Sequence, residues 1–422
     1  MTSPVWHPFT QHALTPDIPR VDRGEGAWLQ TDKGRLLDAI SSWWVITHGH
    51  RHPRIVAAIK AQADQLDQVI FAGFTHRPAE DLAQGLLEIA PPGLSHVFYS
   101  DSGSTSVEVA LKMALGFWRN QNSARSHIIA LEHAYHGDTV GTMSAGARGV
   151  FNAPYEPLLF DVARLPFPAS HAALTALDDL AKDAAALIVE PLILGSGGMH
   201  IYDAAILRQM KAICERHGTL FIADEVMTGF GRTGTLFAHQ QAGIRPDFIC
   251  LSKGLTGGTL PLAAVLTTDA VYETFYDDDA ARDFLHSHSY TGNPLACRAA
   301  LATLDIFERE NVLAVNLERA NMVDGFLAPL HAHPRVRHAR RLGMIWAWDI
   351  ADAPANFARR YARHALAHGL LLRPIGATLY AMPPYVLEED TARHLADGAL
   401  AALEATLAED QPSLFGDERA LP

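Results

Sequence analysis

Short apolar runs alternate with amphipathic stretches through the middle of this chain. Runs of four or five mainly apolar residues predict strands at 96–100, 127–131, 187–190, 219–223, 248–251 and 262–266. Apolar residues at helical spacing predict helices between these strands, for example over 105–118 and 204–217. Strands that alternate with helices favour an α/β fold with a mostly parallel central sheet that helices cover on both faces.

The two ends of the chain follow a different pattern. Short extended pieces lie near Trp28 and Leu36, and long helices rich in Ala, Leu and Arg follow residue 309, with a few strand-like pieces among them. We therefore predict a large domain over residues 41–308 and a smaller α+β domain made from residues 1–40 and 309–422. The polar and proline-containing stretch 410–422 predicts a loose tail.

Composition and charge exclude several classes of protein. Of the 422 residues, 48% are hydrophobic and 19% are charged, which excludes long disorder over most of the chain. The net charge of −13 gives no general attraction to nucleic acid or to anionic membranes, and no apolar stretch has the length of a membrane-spanning helix. Three cysteines without a C-x-x-C pair exclude a disulfide framework and a Cys-rich zinc site. Because the first twenty residues also contain no apolar segment of a secretory signal, we expect a cytoplasmic protein that binds neither nucleic acid nor membrane.

Two charged residues follow directly on predicted strands, where ligands of open α/β sheets bind. Lys253 comes just after the run 248–251, and Asp224 follows the run 219–223. The lysine could simply reach the surface, and the acid could cap a helix or form a salt bridge. Alternatively, a lysine with a lowered pKa is a nucleophile that forms a Schiff base, and a buried acid keeps the ring nitrogen of pyridoxal phosphate (PLP) protonated.

Two further segments could complete a PLP site. Small residues at 100–105, including Gly103 and Ser104, lie between a strand and a helix and could surround a phosphate, although an ordinary turn there is a frequent alternative. The spacing of Thr105 and Glu108 predicts a capping box. Tyr135, after the run 127–131, could stack on a planar ring. The neighbouring histidines at 133 and 136 have no third ligand at suitable spacing, so we predict no metal site.

Phosphate loop, aromatic residue, acid and lysine, in this order, resemble the class III PLP-dependent aminotransferases of fold type I. The resemblance covers nearly the whole chain and rests on Ser102-Gly103-Ser104, Tyr135-His136-Gly137, Val189-Glu190-Pro191, Ala223-Asp224-Glu225-Val226, Ser252-Lys253-Gly254 and Thr291-Gly292-Asn293-Pro294. It implies that Lys253 binds PLP covalently and moves a proton, that Asp224 pairs with the pyridine nitrogen, and that Tyr135 lies over the cofactor. The implied cofactor contacts are Gly103, Ser104, Tyr135, Glu190, Asp224, Lys253, His288 and Ser289.

In this family the segment that corresponds to 287–289 reaches into the neighbouring subunit's site. The resemblance therefore implies a homodimer with two composite sites. Ser289 keeps the hydroxyl that is expected to bind phosphate, whereas Ser287 and His288 depart from the family's Gly-Pro pattern.

Four shorter motifs resemble those family members that transfer an amino group to 8-amino-7-oxononanoate in biotin biosynthesis. These motifs lie at 6–10, 41–44, 253–258 and 382–385. The substrate contacts that they imply are Phe9, Trp43, Trp44, Tyr135, Asp138, Ser287 and Arg373. Arg373 is expected to hold the substrate carboxylate, and Phe9 stands where other members have tyrosine. The expected amino donor is S-adenosylmethionine, with lysine as the alternative.

Two other functions remain open at this point. Another class III ω-aminotransferase, acting on ornithine or γ-aminobutyrate, would share Lys253 and Asp224 but need not contain the Trp43-Trp44 pair. A non-catalytic protein with the PLP fold would be expected to lack the lysine or the acid, and both are present.

Overall fold

The computed structural model describes residues 4–15, 17–149, 152–167 and 171–409. The predicted loose tail at 410–422 lies outside the described residues. The strands are β1 Val21–Glu25, β2 Trp28–Thr31, β3 Gly34–Asp38, β4 His96–Ser100, β5 His127–Leu131, β6 Ala163–Leu165, β7 Ala184–Val189, β8 Ile193–Leu194, β9 His200–Ile201, β10 Leu220–Asp224, β11 Phe248–Leu251, β12 Ala263–Thr267, β13 Val336–Leu342, β14 Ile345–Ile350, β15 Leu370–Leu371 and β16 Thr378–Ala381.

The helices are α1 Ser41–Trp44, α2 Pro53–Ala63, α3 Arg77–Ile89, α4 Gly103–Asn120, α5 Val140–Ala145, α6 His171–Leu180, α7 Ala204–His217, α8 His239–Ala242, α9 Asp269–Tyr272, α10 Pro294–Arg309, α11 Val312–Phe326, α12 Ala328–His331, α13 Phe357–Ala367 and α14 Glu389–Ala408. Short 3-10 turns lie at His12–Leu14, Ala153–Leu158, Lys253–Thr256 and Ala280–Arg282. Within the described part of the chain, no helix is both long and apolar enough to span a bilayer.

The large sheet has seven strands in the order β4-β12-β11-β10-β7-β5-β6. Its strands β11, β10, β7, β5 and β6 are parallel, whereas β12 runs antiparallel to both of its neighbours. All residues of β7, β10, β11 and β12 are buried, which explains why these strands appear in the sequence as continuous apolar runs. The predicted α/β fold with a mostly parallel sheet is confirmed.

Helices cover both faces of this sheet because successive strand residues point to opposite sides. Ile222 of β10 packs in the same core cluster as Val107 of α4. Its neighbours Phe221 and Ala223 belong to the cluster on the opposite face, which contains Met210 of α7. The central parallel strands β7, β10 and β11 are therefore apolar except for Asp224, the last residue of β10.

Strand and helix bounds differ from prediction at a few places. The run 187–190 was predicted as a strand, but the strand is Ala184–Val189, which begins with three buried alanines and ends one residue before Glu190. The Glu190 side chain accepts backbone hydrogen bonds from two loops. The capping box predicted from Thr105 and Glu108 is wrong. Ser102 is the N-cap of α4, and its side chain and that of Thr105 accept hydrogen bonds from each other's backbone N–H. Glu108 instead accepts from the backbone N–H of Gly141, 2.7 Å away, at the start of α5.

A second sheet, in the order β1-β2-β3-β15, joins the two ends of the chain. In it, β15 pairs in parallel with β3 through Leu370 opposite Leu37. A three-stranded sheet, β13-β14-β16, contributes to the core cluster that contains Leu37 and Leu370. This cluster also contains α14 residues such as Leu395. These pairings agree with a small domain built from both termini, and the domain bounds 1–40, 41–308 and 309–422 stay a prediction.

Candidate active site

A cavity of about 180 Å³ lies where the strands of the large sheet end. Segments that follow β4, β5, β7, β10 and β11 converge on it. Its lining consists of Trp44, Gly103, Ser104, Tyr135, His136, Gly137, Glu190, Asp224, Val226, Met227 and Lys253. The structure thus brings together six of the eight residues that were predicted to contact the cofactor.

Lys253 starts a 3-10 turn directly after β11 and has a positive φ of 43°. Its Nζ lies 5.0 Å from the centre of the Trp44 ring. Burial lowers the pKa of the Lys253 amine below its ordinary value, Arg232 adds to this effect, and Asp224 and Glu190 oppose it. A larger neutral fraction makes the amine a better nucleophile.

Asp224 ends β10 and forms a buried pair with His136. The Oδ2 atom of Asp224 lies 2.7 Å from Nδ1 of His136, and its Oδ1 accepts from the backbone N–H of Val226 at 3.2 Å. Both side chains are almost fully buried. Within the described residues, Nε2 of His136 has no hydrogen-bond partner. In the sequence, His136 stands out only as part of the Tyr135-His136-Gly137 motif and as a histidine without enough partners for a metal, so its pairing with Asp224 is a site feature that prediction missed.

Glu190 connects two loops at the edge of the cavity. Its Oε2 accepts from the backbone N–H of Tyr135 and its Oε1 from that of Gly195, both at 3.0 Å. Burial raises the pKa of Glu190 to about 7; Asp224 adds to this effect, while His136 and the two backbone donors oppose it. Glu190 therefore holds Tyr135 in place through the backbone N–H of Tyr135.

The phosphate loop depends on two glycines. A Cβ on Gly103 would lie 2.5 Å from Cγ1 of Val226, and a Cβ on Gly137 would lie 2.2 Å from Oγ of Ser104. Gly137 also has a φ of +133°. The Ser104 Oγ accepts from the backbone N–H of Asp138 at 3.2 Å. The two glycines therefore permit the close approach of these loops at the first turn of α4, and the N-terminus of a helix favours an anion.

The residues present fit PLP. An anion cradle at α4, a lysine with a lowered pKa and a buried carboxylate held by His136 lie around one cavity. When bound, PLP draws electrons from the carbon that carries the substrate's amino group. The residues that would hold PLP are Lys253 through its amine, Asp224 through its carboxylate and Tyr135 through its ring.

A second cavity, of about 450 Å³, shares Trp44, Tyr135 and Lys253 with the first. Its other lining residues are Phe9, Trp43, Asp138, Ser196, Arg373, Pro374, Ile375, Gly376 and Tyr380. Six of the seven predicted substrate residues therefore lie in it. Ser196 and Tyr380 were missed, since neither a serine in a glycine-rich loop nor a tyrosine in a strand has a distinctive sequence signal.

Aromatic rings form one wall of this second cavity. The Arg373 guanidinium lies 5.1 Å from the centre of the Trp43 ring, and the Phe9 ring meets Trp43 edge-on at 5.3 Å. Across the cavity, burial raises the pKa of the Tyr135 hydroxyl, and Asp138 adds to this effect. The cavity thus combines an apolar wall with the Arg373 guanidinium, the Lys253 amine and the Asp138 carboxylate.

Three predicted residues, Ser287, His288 and Ser289, line neither cavity of this chain. They lie in the loop before α10, where the backbone N–H of His288 donates to Oγ1 of Thr291 at 3.2 Å. The carbonyl of Ser289 accepts from Nε2 of Gln68 at 2.9 Å. Their predicted role depends on a neighbouring subunit.

Comparisons with known proteins agree with this geometry. The family model described as aminotransferase class-III matches residues 11–403. The chain is 49% identical over 401 residues to an adenosylmethionine-8-amino-7-oxononanoate aminotransferase of Synechococcus elongatus, covering 91% of this chain and 94% of that relative. It is 35% identical to a crystal structure of the enzyme of that name from Methanocaldococcus jannaschii, with a TM-score of 0.91 over 95% of this chain and 97% of the other.

A more distant structure bears on the cofactor. The omega transaminase from Pseudomonas jessenii in complex with PMP is 27% identical, with a TM-score of 0.91, and the match covers 97% of this chain and 98% of that one. The predicted enzyme class and the predicted PLP cofactor are confirmed. The chain belongs to the class-III aminotransferases.

Proposed function

We propose that this protein transfers an amino group to 8-amino-7-oxononanoate and forms 7,8-diaminononanoate in biotin biosynthesis. The observation that carries the proposal is the second cavity, in which Arg373 lies against the Trp43 ring and next to the cavity of Lys253. This substrate has a carboxylate at one end of an aliphatic chain and an amino ketone at the other. The name of the Synechococcus elongatus relative supports the same substrate.

Each end of the substrate has a matching group in the cavity. Arg373 binds the carboxylate, because a guanidinium matches its two oxygens. Trp43 and Phe9 cover the aliphatic chain, and Asp138 accepts a hydrogen bond from the substrate's amino group. Phe9 supplies an apolar ring but no hydroxyl.

Lys253 and Asp224 carry the chemistry in both half-reactions. Lys253 would hold PLP covalently, and its free amine would take a proton from the carbon that carries the donor's amino group. Nδ1 of His136 and the backbone N–H of Val226 hold the Asp224 carboxylate in place through hydrogen bonds to its two oxygens. The two cavities share Lys253, so donor and acceptor use one site in turn, in a ping-pong reaction. S-Adenosylmethionine is the proposed donor.

A donor screen with 8-amino-7-oxononanoate as acceptor tests the proposal. We expect the diamine product with S-adenosylmethionine, and faster turnover with lysine would change the donor alone. The Arg373→Gln variant should raise KM for the acid at least about tenfold but leave KM for its methyl ester unchanged, since only the acid has the charge to bind. The proposal would be contradicted if the protein turned over ornithine or γ-aminobutyrate faster than it turned over 8-amino-7-oxononanoate with any donor.

We further propose a cytoplasmic homodimer with composite sites. Leu285 and Tyr290, which flank the loop 287–289, are 76% and 67% exposed. Gln68 donates a hydrogen bond to this loop, and the nearby residues Ile70 and Phe74 are each 62% exposed. Such an apolar surface fits a protein interface. The three cysteines are free and buried, as suits a reducing compartment.

Mixing two inactive homodimers tests the composite site. Lys253→Ala removes the lysine of the subunit's own site. Ser289→Asp places a negative charge where the cofactor's phosphate would bind in the partner subunit's site. A mixed dimer has one site with a native lysine and a native Ser289, so activity should reappear after subunit exchange. Continued inactivity of a verified mixed dimer, or an active monomer in light scattering, would refute the composite site.

A further inference from the structure

The four residues of α1 have left-handed backbone angles. The φ values are 52°, 47°, 70° and 75° for Ser41, Ser42, Trp43 and Trp44. Residues with a Cβ avoid this region, so four in succession persist only where their surroundings hold them. The consequence is that Trp43 and Trp44 both line the second cavity. In an extended strand they would point to opposite sides.

A fully buried carboxylate holds this turn from outside the cavities. Oδ1 of Asp38 accepts from the backbone N–H of Ser42 at 2.8 Å, and Oδ2 accepts from the Ser42 hydroxyl at 2.7 Å. Nε2 of His50 lies 2.8 Å from the same Oδ2. The Asp38 side chain is 0% exposed, and it lines neither cavity.

The two tryptophans depend on these hydrogen bonds to different degrees. Trp44 is 4% exposed, and its Nε1 donates to the hydroxyl of Tyr380 at 3.1 Å. Trp43 is 40% exposed and packs against Phe9 and Arg373 on the open side of the cavity. Packing alone therefore fixes Trp44 better than it fixes Trp43.

We propose that Asp38 is a positioning residue for the substrate. It orients Trp43 through both hydrogen bonds to Ser42, and in this way it sets the affinity for the aliphatic chain of the keto substrate. The identity of that substrate rests on the proposed function. The orientation of Trp43 by Asp38 does not depend on it.

A double-mutant cycle measures whether Asp38 acts through Trp43. Asp38→Asn keeps the shape of the side chain but removes the charge that receives these bonds. We expect KM for 8-amino-7-oxononanoate to rise about tenfold while kcat changes less than about twofold. In a Trp43→Ala background the same substitution should have no further effect on KM. Asp247→Asn is the matched control, because Asp247 accepts from Lys211 and from the backbone N–H of Phe221 away from both cavities.

Hydrogen exchange in the cofactor-free protein gives a readout that needs no substrate. The N–H groups of Val45 and Ile46 both donate to the carbonyl of Ser41 and report on the turn. Asp38→Asn should speed their exchange, whereas Asp247→Asn should speed exchange in β10 but not here.

Equal rises of KM with and without Trp43, or unchanged exchange at 45–46, would overturn the proposal. If the wild-type protein does not act on 8-amino-7-oxononanoate, the proposed function fails, and the exchange comparison still decides the role of Asp38. If Asp38→Asn does not fold, Ser42→Ala takes its place in both measurements, because it removes only the hydroxyl bond to Asp38.

Discussion

Replacing Asp224 with asparagine separates a catalytic charge from a structural contact. The amide has nearly the same shape as the carboxylate, but it is neutral and has one acceptor oxygen. If that oxygen keeps the bond from the backbone N–H of Val226, the amide nitrogen faces Nδ1 of His136. The histidine must then carry its proton on Nε2, which has no hydrogen-bond partner within the described residues.

The expected effects on stability and on catalysis differ in size. A hydrogen bond to a charged group contributes about 1.5–3 kcal/mol and a neutral one about 1 kcal/mol, so the exchange lowers the free energy of unfolding by on the order of 1 kcal/mol. Removing a fixed charge that acts on the reacting group slows a reaction on the order of 10²–10³-fold, which corresponds to roughly 3–4 kcal/mol.

Stopped-flow absorbance of the bound cofactor measures the donor half-reaction in a single turnover, at full PLP occupancy. We expect Asp224→Asn to be at least about 100-fold slower, with the donor's dissociation constant changed less than about threefold. Asp247→Asn changes a half-buried carboxylate that also accepts a backbone hydrogen bond but lines neither cavity, and this variant should react at the wild-type rate. A rate within a few-fold of wild type would mean that Asp224 is only a structural residue.

Three further predictions concern other parts of the site. Lys253→Ala should bind PLP but lose turnover by more than about 10³-fold, and borohydride should not fix the cofactor onto it in mass spectra, as it does onto the wild type. Gly103→Ala should raise the dissociation constant of PLP about tenfold, because its Cβ meets Cγ1 of Val226, and Val226→Ala should restore binding in a titration. Burial raises the pKa of Glu190 from 4.5 to about 7, so the folded protein binds more protons than the unfolded chain in this range. The free energy of unfolding of the cofactor-free protein should therefore fall by about 3 kcal/mol from pH 4.5 to 7, relative to Glu190→Gln in denaturant titrations.

Much of the large sheet can be predicted from the sequence, because a strand that is buried on both faces appears as a continuous apolar run. β4, β5 and β11 have the predicted bounds, and Lys253 and Asp224 stand out as charged residues directly after such runs. The bounds of β10 and β12 are each shifted by one residue from the prediction, and β7 begins before the predicted run, because its first residues are alanines that a search for larger apolar side chains passes over. The capping prediction fails because Ser102 is the N-cap of α4 and pairs with Thr105.

Other features depend on contacts that no local pattern records. Nothing in Ser41-Ser42-Trp43-Trp44 indicates positive φ, since the segment contains no glycine. Tyr380 reaches the cavity from a strand near the other end of the chain. The roles of His288 and Ser289 stay predictions, because they depend on a second subunit.

The pairing of β3 with β15 has a consequence for how the protein is made. The two ends of the chain also meet where the hydroxyl of Ser41, after β3, donates a hydrogen bond to the carbonyl of Met382, after β16. These two residues are 341 positions apart. At about 5–20 residues per second, the ribosome needs on the order of tens of seconds to make the partner of the N-terminal strands. Until then the edge of β3 is open and can pair with other chains. The cavity lined by Lys253 and Gly103 can begin to assemble during synthesis, and the wall that joins Phe9 and Trp43 to Arg373 forms last.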